Sequence, residues 1–316
     1  MTGQWPASGA EEASLRVLIL GAAAGGGFPQ WNCDCPGCRA ARSGEALPSG
    51  QVSLALSANG EDWVIVNASP DILSQIRATP DLHPRGLRQS PIRAVVLTNG
   101  EIDAVAGLLS LREGTPFELW ASARVQRTLT ENSLFDVLKP GIVARKALHP
   151  ETPFRPAAPD GRDLGLEILP FTVPGKPAWY LRDHALPDEG DTVALEIRAG
   201  GKTLFIFTAC AEVIDPLRER LRGADLVFFD GTLWRDDEMI RAGLAQKTGA
   251  SMGHLSISGP DGAIARLADL GIARKVFVHI NNSNPVLRPA SPERAETEAA
   301  GWEIGHEGAR YTLCSN

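Results

Sequence analysis

The sequence lacks long apolar segments, basic clusters and an N-terminal targeting signal. No apolar run approaches the roughly 18 to 20 residues that a membrane-spanning helix needs, which argues against a helical membrane anchor. The net charge is −7 and no basic run is present, so a nucleic-acid partner is not expected. Residues 1–14 are polar, acidic and small, and we predict that they form a disordered extension of a cytoplasmic protein.

The cysteines do not form a pattern typical of a disulfide framework. There are five, and three of them, Cys33, Cys35 and Cys38, lie within six residues of a chain that is expected to stay reduced. Three thiolates in one loop suit a tetrahedral structural zinc whose fourth ligand comes from elsewhere. The alternative is a set of unligated loop thiols. For Cys210 and Cys314 the simplest interpretation is a buried apolar side chain, which we favour for Cys314.

A glycine-rich stretch at residues 21–27 follows a predicted first strand, Leu15–Leu20. A dinucleotide-binding loop would need a helix directly after the glycines and an acidic residue at the end of the next strand. Pro29 and the surrounding turn residues instead exclude a long helix there. We therefore reject nucleotide binding and expect the glycines to let the backbone pass close to a ligand or a neighbouring loop.

The fold class predicted from the pattern of elements is α/β. Apolar runs between turn residues predict strands, including two hairpins: Ser53–Ser57 with Trp63–Asn67, and Thr192–Ile197 with Thr203–Phe207. Lys275–Ile280 is predicted as the last core strand. Because helices are interspersed and the pattern is renewed in the second half, we predict a four-layer α/β/β/α sandwich. No linker is evident, so residues 15–316 are predicted to form one domain.

One stretch, residues 93–112, has the order strand, polar turn and helix. Its apolar run ends at Leu97, and a small-residue helix is predicted from Ile102. This order places the turn at the end of a sheet, where unpaired backbone N–H groups and side chains face a cleft.

The same turn resembles, in an altered form, the His-x-His-x-Asp-His motif of the metallo-β-lactamase superfamily, which holds two metal ions. At the four positions of that motif this chain has Asn99, Glu101, Asp103 and Ala104. Only Asp103 is retained, and the three histidines are absent.

Several longer motifs resemble the PqqB family of pyrroloquinoline quinone (PQQ) biosynthesis, whose members have the metallo-β-lactamase-like fold. The motifs are residues 21–38, 67–71, 107–114, 229–234, 252–255 and 278–285. The resemblance implies an iron- and oxygen-dependent hydroxylase that acts on the tyrosine of a Glu-Tyr unit derived from the peptide PqqA. It implies a small peptide or amino-acid-derived precursor as the partner, and it leaves a homodimer open.

Five positions match site residues of this fold. Asp230 follows a buried strand and His279 ends one, and the resemblance implies that both are active-site metal ligands. It implies the same role for Asp103. Asp191 stands at the position of the third histidine of the fold and is a further implied ligand. His254 matches a loop histidine that donates a proton or stabilises the transition state, and Asp103 is assigned a catalytic role beside it. The alternatives are turn residues for the aspartates, a core histidine for His279, and a capping or surface role for His254.

Ala104 departs from the PqqB pattern, in which histidine usually stands at this position. Iron oxygenases commonly use two histidines and one carboxylate, and alanine offers no donor atom. We predict a weak or absent Fe²⁺ at the active site and an intact zinc at the cysteines. Two explanations of Ala104 remain open: an introduced His-to-Ala change, and a natural family member whose metal binding is altered.

Three further residues are candidates for substrate binding. Arg112 could hold a carboxylate, and Trp31 and Trp234 could flank a phenol ring, although a salt bridge and simple packing explain them equally. Besides the oxygenase, two other functions fit the chain: a non-catalytic carrier of a PQQ intermediate, and a metallohydrolase. The missing histidine pair argues against the metallohydrolase.

Overall fold

The computed structural model describes residues 14–181 and 190–315. The predicted disordered extension, residues 1–14, lies outside the described residues except for Ser14. That residue belongs to the first strand, where it pairs with Cys314 near the other end of the chain. Residues 174–190 are rich in Pro, Asp and Gly, which predicts a long loop over one face, and residues 182–189 of this stretch also lie outside the described residues.

Among the described residues, seven strands form the first sheet, in the order β13-β1-β2-β3-β4-β5-β6. The strands are β1 Ser14–Gly21, β2 Ser53–Ser57, β3 Trp63–Val66, β4 Ile92–Val96, β5 Phe117–Ser122, β6 Val143–Leu148 and β13 Arg310–Cys314. The pairs among β13, β1, β2 and β3 are antiparallel, and those from β3 to β6 are parallel.

Six described strands form the second sheet, in the order β12-β11-β10-β9-β8-β7. They are β7 Glu167–Thr172, β8 Val193–Ala199, β9 Lys202–Ile206, β10 Leu226–Asp230, β11 Lys275–Val278 and β12 Trp302–Ile304. This sheet repeats the plan of the first, with an antiparallel part followed by parallel strands from β9 to β12.

Short helices connect the strands. The α-helices are α1 Pro36–Ser43, α2 Ile72–Ala78, α3 Ile102–Val105, α4 Ala123–Thr130, α5 Asp215–Leu221, α6 Glu238–Arg241, α7 Gly249–Met252, α8 Ala263–Arg266 and α9 Pro292–Ala299. The 3₁₀ turns are Pro80–Leu82, Ala106–Leu111, Ser133–Val137, Trp179–Leu181 and Pro285–Leu287. Within the described ranges, no helix is long and apolar enough to cross a bilayer.

Side-chain alternation along the strands explains the layers. In β1, Val17 and Ile19 point into a core between the two sheets, whereas Leu18 and Leu20 point to the opposite face. That outer face packs against α2 and α4, and the outer face of the second sheet packs against α5 and α8. The predicted four-layer α/β/β/α sandwich is therefore confirmed.

Most local predictions agree with the structure. Both hairpins are present, and no helix directly follows the glycine-rich stretch. Two expectations are wrong. Lys275–Ile280 is not the last core strand, because β12 and β13 complete the two sheets. Cys314 is exposed, because it occupies a solvent-facing position of β13 while Tyr311 and Leu313 point inward.

A buried carboxylate, Asp62, joins two loops to the start of β3. It accepts hydrogen bonds from Arg93 Nε at 2.6 Å, from Arg162 at 2.5 Å and from Asn59 Nδ2 at 3.1 Å. Burial would raise the pKa of Asp62, but the bonds from the two arginines and Asn59 outweigh it and lower the pKa to about 2.

Asp62→Asn is expected to lower the free energy of unfolding by about 1–3 kcal/mol near neutral pH, because Asp62 loses two partly buried charge-assisted bonds to Arg93 and Arg162. Because the folded pKa is depressed, this stabilisation is present above the ordinary value of 3.8 and is lost as the pH falls towards 2. Urea unfolding of both proteins near neutral pH and in acid measures the difference. Asp160→Asn, at an exposed carboxylate 3.9 Å from Arg162, should change little, and an equal loss there would contradict the prediction.

Candidate metal centre

Two neighbouring strands bring Asp230 and His279 to the same edge of the second sheet. Strands β10 and β11 are parallel, and Asp230, the last residue of β10, is in register with Val278, the last residue of β11. His279 follows immediately, so both side chains project from the carboxyl ends of adjacent strands.

His279 is held in an unusual backbone conformation. Its φ of 54° lies in the left-handed region, which non-glycine residues adopt at a cost and most often at functional sites. Its Nε2 lies 3.1 Å from Oδ2 of Asp103, and its Nδ1 lies 2.8 Å from the hydroxyl of Thr232 and 3.8 Å from Oδ1 of Asp230. The imidazole therefore bridges two carboxylates that come from different sheets.

His254 completes the group. Its Nδ1 lies 2.7 Å from Oδ2 of Asp230, and its ring stacks on that of His279 with centroids 5.1 Å apart. Ligand atoms of Asp230, His254 and His279 all lie within 4.8 Å of one another. Two imidazoles and one carboxylate form a donor set that fits zinc or non-haem iron.

Thr232 supports this group, and sequence reasoning missed it. Its hydroxyl donates to Oδ1 of Asp230 at 2.6 Å and also lies near the Nδ1 atoms of His254, at 3.1 Å, and of His279. The backbone N–H of Cys210 donates to the other oxygen of Asp230 at 3.0 Å. Thr232 lies within the motif at residues 229–234 that resembles the PqqB family, which was the available signal for it.

The site stabilises charge strongly. Burial would raise the pKa of Asp230, but the charge of His254 and hydrogen bonds with both histidines hold it well below its ordinary value. The side chain of Asp103 is 15% exposed; its partial burial would raise its pKa, but its hydrogen bond with His279 and the charge of that ring lower it. Burial would lower the pKa of His279, yet the two carboxylates raise it to about 10.

A cavity of about 360 Å³ opens onto these residues. His254, His279 and Asp103 line it together with Gly25, and a Cβ atom added at Gly25 would lie 3.4 Å from Oδ2 of Asp103. This close approach agrees with the role expected for the glycines. Other lining residues are Gln51, Asn99, Glu101, Lys176, Trp179, Tyr180, Met239, Met252 and Asn281.

A polar contact between the two sheets supports the site. Nδ2 of Asn67 donates to the hydroxyl of Thr98 at 2.9 Å, and that hydroxyl lies 2.7 Å from the hydroxyl of Thr208. Asn67 also has a positive φ, 61°. These buried bonds fix the ends of β3 and β4 relative to the segment after β9.

Comparison with known proteins identifies the family. A family model described as the beta-lactamase superfamily domain matches residues 62–280. The "Coenzyme PQQ synthesis protein B" of Bradyrhizobium diazoefficiens is 55% identical over 308 residues, covering 95% of this chain and 100% of that protein. That of Gluconacetobacter diazotrophicus is 52% identical, covering 94% and 99%. This chain belongs to the PqqB family.

A solved PqqB structure agrees closely in fold. The crystal structure of Zn²⁺-bound PqqB from Methylobacterium extorquens matches with a TM-score of 0.90 and 48% identity, over 94% of this chain and 100% of that one. A diphosphatase of the PhnP family, at 20% identity and a TM-score of 0.66, shares the fold. The metallo-β-lactamase-like fold of this PqqB-family chain is thereby shown.

The cysteines of the PqqB-like loop converge at the start of α1. The sulfur atoms of Cys33, Cys35 and Cys38 lie within 4.8 Å of one another. Nδ2 of Asn282 lies 3.3 Å from the sulfur of Cys38 and 3.6 Å from that of Cys35. Burial and the neighbouring thiols of Cys33 and Cys38 together raise the pKa of Cys35 to about 11, although the hydrogen bond from the backbone N–H of Cys38 lowers it. Three converging thiols fit tetrahedral zinc, and a bound ion would hold them as thiolates.

Asp191 is not part of the metal group among the described residues. Its buried carboxylate lies 3.1 Å from Nε of Arg124, at the first turn of α4. The structure therefore places Asp191 in an ion pair with Arg124 of α4 and outside the group formed by Asp230 and the two histidines. Its neighbour Thr192 lines the cavity instead.

The three predicted substrate residues do not line the cavity. Arg112 is exposed and donates to the carbonyl of Leu109, beside a different and much smaller depression. Trp31 is 86% exposed, and Trp234 is buried in the outer core of the second sheet. Trp179 lines the cavity instead, and no sequence motif distinguished it from the other tryptophans.

Ala104 lies in α3 directly after Asp103 and is buried in the outer core of the first sheet. Its methyl group adds no donor to the group formed by Asp103, Asp230 and the histidines. This PqqB-family chain therefore lacks a nitrogen ligand at that position.

Proposed function

We propose that this chain acts in PQQ biosynthesis as a metal- and oxygen-dependent hydroxylase of the tyrosine ring in a Glu-Tyr precursor. The observation that carries the proposal is the convergence of Asp230, His254 and His279, with Asp103 beside them, at the base of a cavity. Two histidines and one carboxylate with room for oxygen and substrate are typical of non-haem iron oxygenases.

The reaction balances without a separate reductant. One atom of O₂ forms a new C–O bond next to the phenol oxygen, the other leaves as water, and the ring supplies four electrons as it becomes an ortho-quinone. When bound at Asp230, His254 and His279, iron would supply the one-electron chemistry that O₂ requires. Asp103, which is not one of these three ligands, is the ionisable group at the cavity wall that can take up the proton of the phenol.

Oxygen uptake tests the proposal directly. The unaltered chain and its Ala104→His variant are loaded with Fe(II) and given a Glu-Tyr peptide and O₂, or a generic phosphodiester with Zn(II). Oxygen uptake that needs both iron and peptide supports the hydroxylase. Zinc-dependent ester cleavage without oxygen uptake would overturn it in favour of a hydrolase.

A non-catalytic carrier is the second candidate. Ala104 favours it, since a missing ligand weakens the metal centre without closing the cavity. Saturable binding of a PQQ intermediate, with no turnover even in the Ala104→His variant, would identify the carrier.

Trp179→Ala is expected to weaken binding of a Glu-Tyr peptide about 3- to 10-fold, because the tryptophan ring offers a stacking surface at the cavity. Its side chain lines the cavity and is 62% exposed, and its backbone N–H donates to Glu101 at 3.1 Å. Calorimetric titration measures the change. Trp31→Ala is the matched control, since that exposed tryptophan lies outside the cavity lining; equal losses in both variants would contradict this role.

We also propose that Cys33, Cys35 and Cys38 hold a structural zinc. The purified chain should then contain about one zinc, and Cys38→Ser should remove it, because two thiolates hold zinc far more weakly than three. Elemental analysis measures the zinc content. Cys314→Ser, at an exposed cysteine outside the loop, should retain it. Full zinc content in Cys38→Ser would show that the ion lies elsewhere.

A further inference from the structure

Asn281 lies in the cavity wall two residues after His279. Its backbone N–H donates to the carbonyl of Thr232 at 3.0 Å, which fixes the main chain beside the metal group. Its side-chain Nδ2 donates to the hydroxyl of Ser283 at 2.6 Å. Within the described part of the chain, Oδ1 of Asn281 accepts no hydrogen bond from the protein.

Glu238 sets the direction of this hydrogen-bond chain. Its Oε1 accepts from the hydroxyl of Ser283 at 2.5 Å, and its Oε2 accepts from the backbone N–H of Trp234 at 2.7 Å. A carboxylate only accepts, so Ser283 uses its single proton on Glu238 and must itself accept from the next group. The amide of Asn281 is thereby oriented with Nδ2 towards Ser283 and its carbonyl oxygen left for the cavity.

We propose that Asn281 is a specificity-determining residue whose side-chain oxygen accepts a hydrogen bond from the phenolic hydroxyl of the substrate, with Ser283 and Glu238 as positioning residues. The inference rests on the proposed function for the identity of the substrate.

The place of Asn281 in the sequence next to His279 and its neutral amide oxygen both favour contact with the phenol end of the substrate. Hydroxylation next to the phenol oxygen requires that end of the ring to lie near His279, and Asn281 is two residues away. The charged groups of a Glu-Tyr unit suit Lys176 and Glu101, which also line the cavity. A neutral amide oxygen suits a neutral hydroxyl, whereas a desolvated ammonium group would need a carboxylate.

Binding of two peptides, Glu-Tyr and Glu-Phe, tests the assignment because they differ by the hydroxyl alone. Calorimetric titrations of the full chain at mildly alkaline pH measure both dissociation constants. The unaltered chain is expected to bind Glu-Tyr about 5- to 10-fold more tightly, as one hydrogen bond to a prepared acceptor allows. Asn281→Ala should bind the two peptides with nearly equal affinity.

Three further variants separate a positioning role of Ser283 from a general loss of binding. Ser283→Ala should reduce the preference for Glu-Tyr, because the amide is no longer held, and Ser283→Thr should restore it by returning a hydroxyl. Trp179→Ala should weaken the binding of both peptides by the same factor and leave the ratio of their dissociation constants unchanged.

The outcomes distinguish this inference from the function on which it rests. If both peptides bind and Asn281→Ala keeps the full preference for Glu-Tyr, the role of Asn281 is wrong while the substrate class stands. If neither peptide binds to any of the proteins, the substrate class is wrong, and this assignment fails with it.

Discussion

Replacing Ala104 with histidine is expected to raise the affinity of the active site for Fe(II) or Zn(II) about 10- to 100-fold, since it adds an imidazole donor next to Asp103. Ala104 directly follows Asp103 in α3, and Oδ2 of Asp103 already lies 3.1 Å from Nε2 of His279. Metal titrations are made after the cysteine loop has been saturated with zinc, so that only the second site is measured.

Ala106→His is the matched control for this gain. Ala106 lies two residues further along, at the C-terminal cap of α3, so its side chain lies on a different face of the helix from that of Ala104. An imidazole there should leave the metal affinity unchanged. If both variants bind metal equally, or if Ala104→His binds no more tightly while urea unfolding shows it folded, position 104 does not contribute a ligand in this chain.

Asp230→Asn is expected to lower the active-site metal affinity by at least about 100-fold and the free energy of unfolding by about 3–5 kcal/mol. Asp230 is fully buried and accepts from the backbone N–H of Cys210, from Thr232 and from the histidine group. An amide presents only one accepting oxygen, so at least one buried donor loses its partner. Metal titration and urea unfolding measure the two losses separately.

Asp191→Asn provides the comparison, because it makes the same change at another buried aspartate. Asp191 is paired with Arg124, so the variant should lose stability but keep its metal affinity. A loss of metal affinity as large as that of Asp230→Asn would show that Asp191 is a metal ligand and would contradict its assignment as the ion-pair partner of Arg124.

The positions that sequence reasoning located correctly share a local signature. Asp230 and His279 each stand at the end of an apolar run, and the family resemblance implied that they share a site; parallel strands bring such ends to the same edge of the sheet. The three cysteines meet because only a few residues separate them. The cysteines are brought together by their short separation in the sequence. Asp230 and His279 are brought together by their positions at the ends of neighbouring strands.

The positions that it located wrongly depend on contacts between distant segments. Trp31 and Trp179 are alike as residue types, but only Trp179 lies on the cavity, because its loop returns over the strand ends. Asp191 ends a turn much as expected, yet α4 brings Arg124 to meet it. The roles of Thr232 and Asn281 follow from hydrogen bonds that no spacing along the chain expresses.

By itself, then, the order of residues determined the layered α/β fold, the family and the donor atoms available for a metal, since periodicity and motifs are properties of neighbouring positions. Which of those donors lie close enough to share an ion, which aromatic ring lines the cavity and which groups each amide contacts were decided only when the two sheets packed face to face. Packing brings residues together across more than a hundred positions, as it does for Asp103 and His279, and makes the strength of each contact depend on burial and on its partners.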